Sequence, residues 1–220
     1  MKRLIPVILL LFCACAPSRL VKPLAKGEQM LGFNVGGPLI AYSNTTIPMP
    51  LSSLNYGYGL SETRSAFAAL HTTALLYGVF QAELGILQNI TPQKKYWPGL
   101  STSFTANLAL DKWERNFRFW PEVDINAYWN YGKHKNLAYV GISNWFELNS
   151  KKSHEQKQQQ QWLINPHIGN RWNRNKWNYG IELKWLVPNL NNQPNTIEYT
   201  GIKDKGALGL YLNVAYTFSK

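Results

Sequence analysis

The chain has 220 residues, with 23 Lys and Arg against 12 Asp and Glu, a net charge of +11. Its two cysteines, Cys13 and Cys15, both sit at the extreme N-terminus, so a mature chain without that segment has neither a disulfide nor thiol chemistry. No apolar run reaches transmembrane-helix length, which leaves a closed barrel as the way into a membrane, and the cations form no stripe suited to nucleic acid.

Met1-Lys2-Arg3 is a short basic start, and residues 4–12 are apolar. Together with the small residues that follow they read as a secretory signal over 1–14. Residues 15–27 are polar and contain proline, the composition of a tether. Period-2 alternation then begins and runs to the C-terminus. Leu31, Phe33 and Val35 share one face and Met30, Gly32 and Asn34 the other, and Gly36-Gly37-Pro38 is expected to end this strand.

The second strand sets Leu54, Tyr56, Tyr58 and Leu60 against Asn55, Gly57, Gly59 and Ser61. A third is expected over 64–71 and a fourth over 74–87, where alternation is poor and a helix is the competing reading. The fifth covers 100–111. The sixth turns Val123, Ile125, Ala127 and Trp129 outward and Glu122, Asp124, Asn126 and Tyr128 inward. The seventh covers 137–148, with Asn144 breaking an otherwise apolar outer face, and the eighth 161–171. In the ninth, Trp177, Tyr179, Ile181, Leu183 and Trp185 oppose Asn178, Gly180, Glu182 and Lys184. The tenth, 208–218, has one face wholly apolar and ending in Tyr216 and Phe218.

Ten strands is an even number, so both chain ends fall on one side, and the long polar connections then sort mostly to the opposite side. Nine Trp and twelve Tyr suit a surface that crosses from lipid to water. The expected fold is an all-β, antiparallel up-and-down transmembrane barrel over 28–220, with eight or twelve strands as the alternatives.

The chain therefore resembles the small outer-membrane β-barrels of Gram-negative bacteria. More narrowly, because Ala14-Cys15 matches the end of a lipobox, it resembles their uncharacterised barrel lipoproteins. The resemblance covers residues 28–218 and rests on pattern. It implies lipid attachment at Cys15, termini in the periplasm, and outer-membrane lipid and the barrel-assembly machinery as partners. Lipopolysaccharide phosphates are further partners that the positive charge would suit. Such barrels serve as anchors, adhesins, narrow channels or lipid-modifying enzymes, and fold does not choose among them.

The polar faces concentrate charge at Glu122, Asp124, Glu182, Lys184, His167 and Arg171, with Glu83 as a further member. In a narrow lumen these must be paired or hydrated. They form either a polar pore or pocket, or a salt-bridged plug. Catalysis has little to stand on. His71-Thr72-Thr73 has the His-to-hydroxyl spacing of barrel lipid hydrolases with Thr for Ser, and His167-Ile168-Gly169 has no hydroxyl. Asp111, Glu114 and His154 assemble an omptin-like set only on paper. The expectation is a non-enzymatic barrel without cofactor or metal, in a structural, surface-interaction or narrow-channel role. The alternatives are an envelope-lipid hydrolase, and a soluble periplasmic lipid-binding barrel with its apolar faces turned inward.

Overall fold

The computed structural model describes residues 17–113, 115–149, 160–191 and 199–218. In chain order they form β1 (Gln29–Tyr42), β2 (Thr45–Pro48), β3 (Ser52–Ser61), β4 (Arg64–His71), α1 (Thr72–Leu76), β5 (Val79–Thr91), β6 (Gly99–Asp111), β7 (Phe117–Tyr131), β8 (Asn136–Phe146), β9 (Trp162–Arg174), β10 (Trp177–Asn191) and β11 (Lys205–Phe218). Every strand after β2 pairs antiparallel with its neighbour in sequence, and β1 pairs with β3. β11 returns to β1 in a register running from Gln29 opposite Phe218 to Pro38 opposite Gly209. The result is a closed ten-stranded antiparallel barrel without a free edge. β2 lies outside that count, pairing only with the far end of β1. The end of the barrel that carries Gln29 and Phe218 is here the terminal end, and the opposite one the loop end. None of the helices among the described residues is long and apolar enough to cross a membrane.

Alternation decides which face is which, because successive side chains on a strand point to opposite sides. Leu31 and Phe33 on β1, Phe104 on β6, Ile125 on β7, Ile168 on β9 and Leu212 on β11 all stand outside, the most open being Phe104 at 59% and Ile168 at 56% exposure. Inside lie Asn34, Ser101, Asn107, Asn126, Glu182 and Lys184, all nearly or fully buried. This overturns the soluble lipid-binding reading, which requires the apolar faces to point inward.

Two boundaries differ from the sequence expectation. β1 does not stop at Gly36. It leaves β3 after Val35 but stays paired with β11 to Pro38 and with β2 beyond. Gly36 sits at φ +133°, where a Cβ would fall 2.1 Å from the Leu210 carbonyl oxygen, a bend that a side chain would obstruct. The expected fourth strand also starts later. Residues 72–76 form the single-turn helix α1 and β5 begins at Val79. Ser52 explains the helix, since its hydroxyl bonds both Thr72 and Thr73 at 2.8 Å and turns the chain there. The helical reading of this stretch thus holds for one turn, without cost to the strand count.

The prolines within β7 and β9 sit where a ladder donor is not needed. Pro166 pairs with Ile142 of β8, but β10 pairs with β9 only as far as His167. There the Val187 amide donates to Asn165 Oδ1 at 3.0 Å instead of to the main chain. Pro121 likewise lies one residue past the last β7–β8 pair, Glu122 opposite Trp145.

Candidate functional site

The lumen is filled by the chain itself. Residues 17–24, expected as a tether outside the barrel, turn back into it and rise from the terminal end toward the loop end. A tight reversal makes this possible. The Glu28 amide donates to the Ala25 carbonyl at 2.9 Å, the Ala25 amide to Glu28 Oε2 at 2.9 Å, and the Gly27 amide to the Gly59 carbonyl at 2.8 Å. Above it, the Leu24 amide donates to Ser65 Oγ at 2.9 Å, and Ser101 Oγ donates to the Val21 carbonyl at 2.6 Å. Leu20 and Leu24 lie over Gly57, and the Ala25 carbonyl lies against Gly59, so close that a Cβ there would fall 1.9 Å from the oxygen. The inward glycines of β3 are therefore a seat for this segment. Leu20 packs with Met30, Phe67, Leu87 and Ala215, and Val21 with Tyr128, Leu137 and Tyr139.

Two ionic clusters hold the tip. Arg19 Nε and Nη2 donate to the two oxygens of Glu83 at 2.7 and 2.8 Å, a bidentate pair, while Nη1 donates to Ser53 Oγ at 2.8 Å. His71 Nε2 meets the same Glu83 carboxylate. Across the lumen the Ser18 amide is shared between both oxygens of Glu182, each at 3.2 Å. Tyr139 donates to Glu182 at 2.8 Å, and Lys184 Nζ is 3.6 Å from it. Arg171 Nη2 donates to the Ser18 and Arg19 carbonyls at 2.6 and 3.1 Å, with its guanidinium 5.8 Å from the Tyr139 ring. His167 joins Ser18 Oγ at 3.3 Å to Asn126 Oδ1 at 2.8 Å.

All six charged residues singled out in the sequence face the lumen. Glu182, His167 and Arg171 touch the inserted segment directly. Lys184 stands beside Glu182, and Glu122 and Asp124 are gathered around Ser143, whose hydroxyl contacts both. Glu83 takes the most complete set of partners. The sequence reading did not foresee Ser18 and Arg19 as members. The traces were there: a lone Arg followed by Leu20, Val21 and Leu24, and two glycines on the polar face of β3.

The catalytic readings separate differently. His71 points into the lumen rather than outward. Thr73, two residues on, bonds Ser52 Oγ at 2.8 Å. Ser53 lies opposite His71 in the ladder, so Ser53, His71 and Glu83 are the residue types of a triad. Yet the Ser53 hydroxyl is taken by Arg19 and Asn34, and the Arg19 guanidinium stands between acid and serine. Asp111 caps the turn after β6 by accepting from the Trp113 amide at 2.9 Å, and Glu114 and His154 lie outside the described residues. No group of three or more metal-ligating side chains occurs among the described residues.

Cys15 also lies outside the described residues. Below the inserted segment, a cavity of about 410 Å³ opens at the terminal end, lined by Lys22, Glu28, His134, Lys135 and Lys176 among others.

No protein-family model matches the chain, and no curated protein sequence matches it. Solved structures share its shape only loosely. The translocator domain of the autotransporter NalP from Neisseria meningitidis is 9% identical with a TM-score of 0.47, the alignment covering 89% of this chain and 90% of that one. The outer membrane protein OprG from Pseudomonas aeruginosa is 10% identical with a TM-score of 0.36, covering 91% and 100%. Ail, the attachment invasion locus protein of Yersinia pestis, is 8% identical with a TM-score of 0.30, covering 88% and 99%.

Proposed function

We propose that this chain is a bacterial outer-membrane β-barrel, termini in the periplasm, sealed by its own residues 17–24, and that it acts as a structural and surface-interaction protein. The outward face supports the location. Large apolar side chains stand exposed on strand after strand, far more than the few hundred Å² a soluble monomer leaves uncovered. Trp177, Tyr216 and Phe218 stack edge to face at the terminal end, with ring centroids 5.0 and 4.9 Å apart, where an interfacial girdle belongs. The aromatic-ended β11 suits insertion by the barrel-assembly machinery.

The single observation that carries the role is the occupied lumen. Arg19 on Glu83 and Ser18 on Glu182 are contacts of the wall with the chain's own segment, so the charged lumen is a seat and not a conduit. This favours the plug over the pore among the two readings of the charge cluster. It also places the hydroxyl nearest His71 out of reach of a lipid ester, and the role we propose is non-catalytic. Function then falls to the loop end, where Lys112, Arg115, Lys203 and Lys205 are exposed, cations suited to lipopolysaccharide phosphates.

Planar-bilayer recording tests the reading. The intact protein is expected to give no steady conductance, and a variant lacking residues 17–24 to conduct, with preference for cations because Glu83, Glu122, Asp124 and Glu182 then line the opening. Steady conductance by the intact protein would sink it. Carbonate extraction tests the location, since a membrane barrel stays with the membrane fraction.

A further inference from the structure

We propose, taking residues 17–24 as the plug, that the cavity beneath it binds a small sugar or polyol phosphate, and that this ligand holds the plug shut.

The cavity is cationic without a matching counterion. Lys22, Lys135 and Lys176 line it together with one carboxylate, Glu28. None of the three lysines forms an ion pair with a described residue. Lys22 feels the like charge of Lys135, and Glu28 offsets only part of it. Three ammoniums against one carboxylate leave two positive charges, and a phosphate monoester carries about −2 near neutral pH.

The frame that carries these charges is fixed without a ligand. The Lys135 carbonyl accepts from Asn173 Nδ2 at 2.6 Å, and Asn136 Oδ1 accepts from the Asn173 amide at 3.0 Å and from Arg174 Nη1 at 3.2 Å. These bonds lock the β7–β8 turn to the β9–β10 turn. The Lys176 carbonyl accepts from the Thr217 amide at 2.8 Å, which ties the second turn to β11. Lys22 Nζ donates to Asn130 Oδ1 at 3.1 Å, and Asn130 in turn donates twice to Gln93 Oε1, at 2.6 and 2.9 Å. Lysine binds phosphate as a point charge, and a frame already in place lowers the ordering cost of binding.

The rest of the lining asks for more than phosphate. Asn173, Asn178 and Asn213 also line the cavity. Each spends its Nδ2 on the protein: on the Lys135 carbonyl, on Thr217 Oγ1 at 2.9 Å, and on Asn34 Oδ1 at 2.7 Å. Their Oδ1 atoms accept from no described residue. A phosphate dianion has only acceptors and cannot answer them, whereas ligand hydroxyls donate. The volume, about 410 Å³, is toward the small end for ligand cavities. The cavity opens at the barrel mouth, so a lipid could present its phosphate there only by drawing its acyl chains out of the bilayer. A soluble ester has no such cost.

The site has two owners. Leu20, Lys22 and Leu24 belong to the plug, and Lys135 and Lys176 to the wall. The whole site therefore exists only while the plug is docked. By mass action, ligand at a hundred times its Kd raises the ratio of docked to undocked plug about a hundredfold.

Calorimetric titration of the purified full chain in phosphatidylcholine nanodiscs tests this, with glucose 6-phosphate, inorganic phosphate and glucose as probes. Glucose 6-phosphate is expected to bind, inorganic phosphate about tenfold more weakly for want of the hydroxyl bonds, and glucose not at all. Lys135→Gln with Lys176→Gln should weaken glucose 6-phosphate about tenfold, through the loss of two partly screened charge pairs. If that variant does not fold, judged by heat-dependent gel mobility, Lys22→Gln takes its place with a severalfold loss. Replacing half the lipid by phosphatidylglycerol should leave the affinity unchanged. The proposal is overturned by no heat with glucose 6-phosphate, by equal affinity for inorganic phosphate, by wild-type affinity in the variant, or by competition from the anionic lipid. Conductance of the same samples keeps the two ideas apart. A silent barrel that binds nothing defeats the site and spares the plug, whereas steady conductance with glucose 6-phosphate present defeats both.

Discussion

Replacing Arg19 by Ala attacks the plug at its best-defined contact. Arg19 and Glu83 are both nearly inaccessible, at 5% and 3% exposure, and share two hydrogen bonds of 2.7 and 2.8 Å. Removing one partner of a buried pair leaves an uncompensated charge and costs about 3–5 kcal/mol. His71 remains beside Glu83, which holds the expected loss near the lower figure. Water can relieve that charge only if the plug leaves, so the loss falls on plug docking. A loss of ~3 kcal/mol shifts the docking equilibrium by about two orders of magnitude. Planar-bilayer conductance should therefore change from silent to open or flickering, while heat-dependent gel mobility still reports a folded barrel. Glu83→Gln in the Arg19→Ala background removes the stranded charge and should return part of the docking energy. If Arg19→Ala stays silent in the bilayer and unfolds in urea at the wild-type midpoint, the pair does not hold the segment and the reasoning fails.

Other substitutions probe separate parts of the same account. At Gly169 an added Cβ would lie 2.3 Å from the Tyr139 ring, so Gly169→Ala should displace the phenol from Glu182 and cost about 1–3 kcal/mol in urea unfolding. The same change at an outward, uncrowded position should cost far less. Ile168→Lys puts a charge on the outer face in mid-strand and should lower insertion or stability by ~2–4 kcal/mol in lipid, and a neutral result would argue that this face meets water. Gly59→Val collides with the Ala25 carbonyl and should eject the segment, giving conductance in an otherwise folded barrel; silence in the bilayer would show that the lumen closes by other means.

The barrel was legible in the chain because alternation is a local property. Ile125 against Asp124, or Ile181 against Glu182, announces its face without help from any neighbour. The closing strand β11, the lumen charges and the sorting of long loops to one end follow from the same period. What escaped was non-local. Gly36 looks like a strand terminator, and only the β11 register reveals a bend within a continuing strand. Thr72 and Thr73 become a helical turn because Ser52, distant in sequence, offers its hydroxyl. Residues 17–24 have the composition of a tether, since a plug has no period and draws its hydrogen-bond partners from seven separate strands. His167 and Arg171 were seen as lumen charges, but their ligand was the one stretch that composition assigned elsewhere.

The geometry of that stretch also bears on how the molecule is assembled. The Leu24 amide meets Ser65, a partner available as soon as the first hairpins exist. Ser18, six residues earlier, meets His167 and Glu182, which lie 149 and 164 residues away. The base of the plug can therefore form while the chain is still an open sheet, whereas its tip has no seat until β9 and β10 have arrived and β11 has found β1. The last contacts to form span the barrel's width and tie the first residues to the final strands. The tip thus acts as a latch on the finished cylinder: separating β1 from β11 would spread the walls that Ser18 and Arg19 bridge, so seam and latch should open in a single cooperative step.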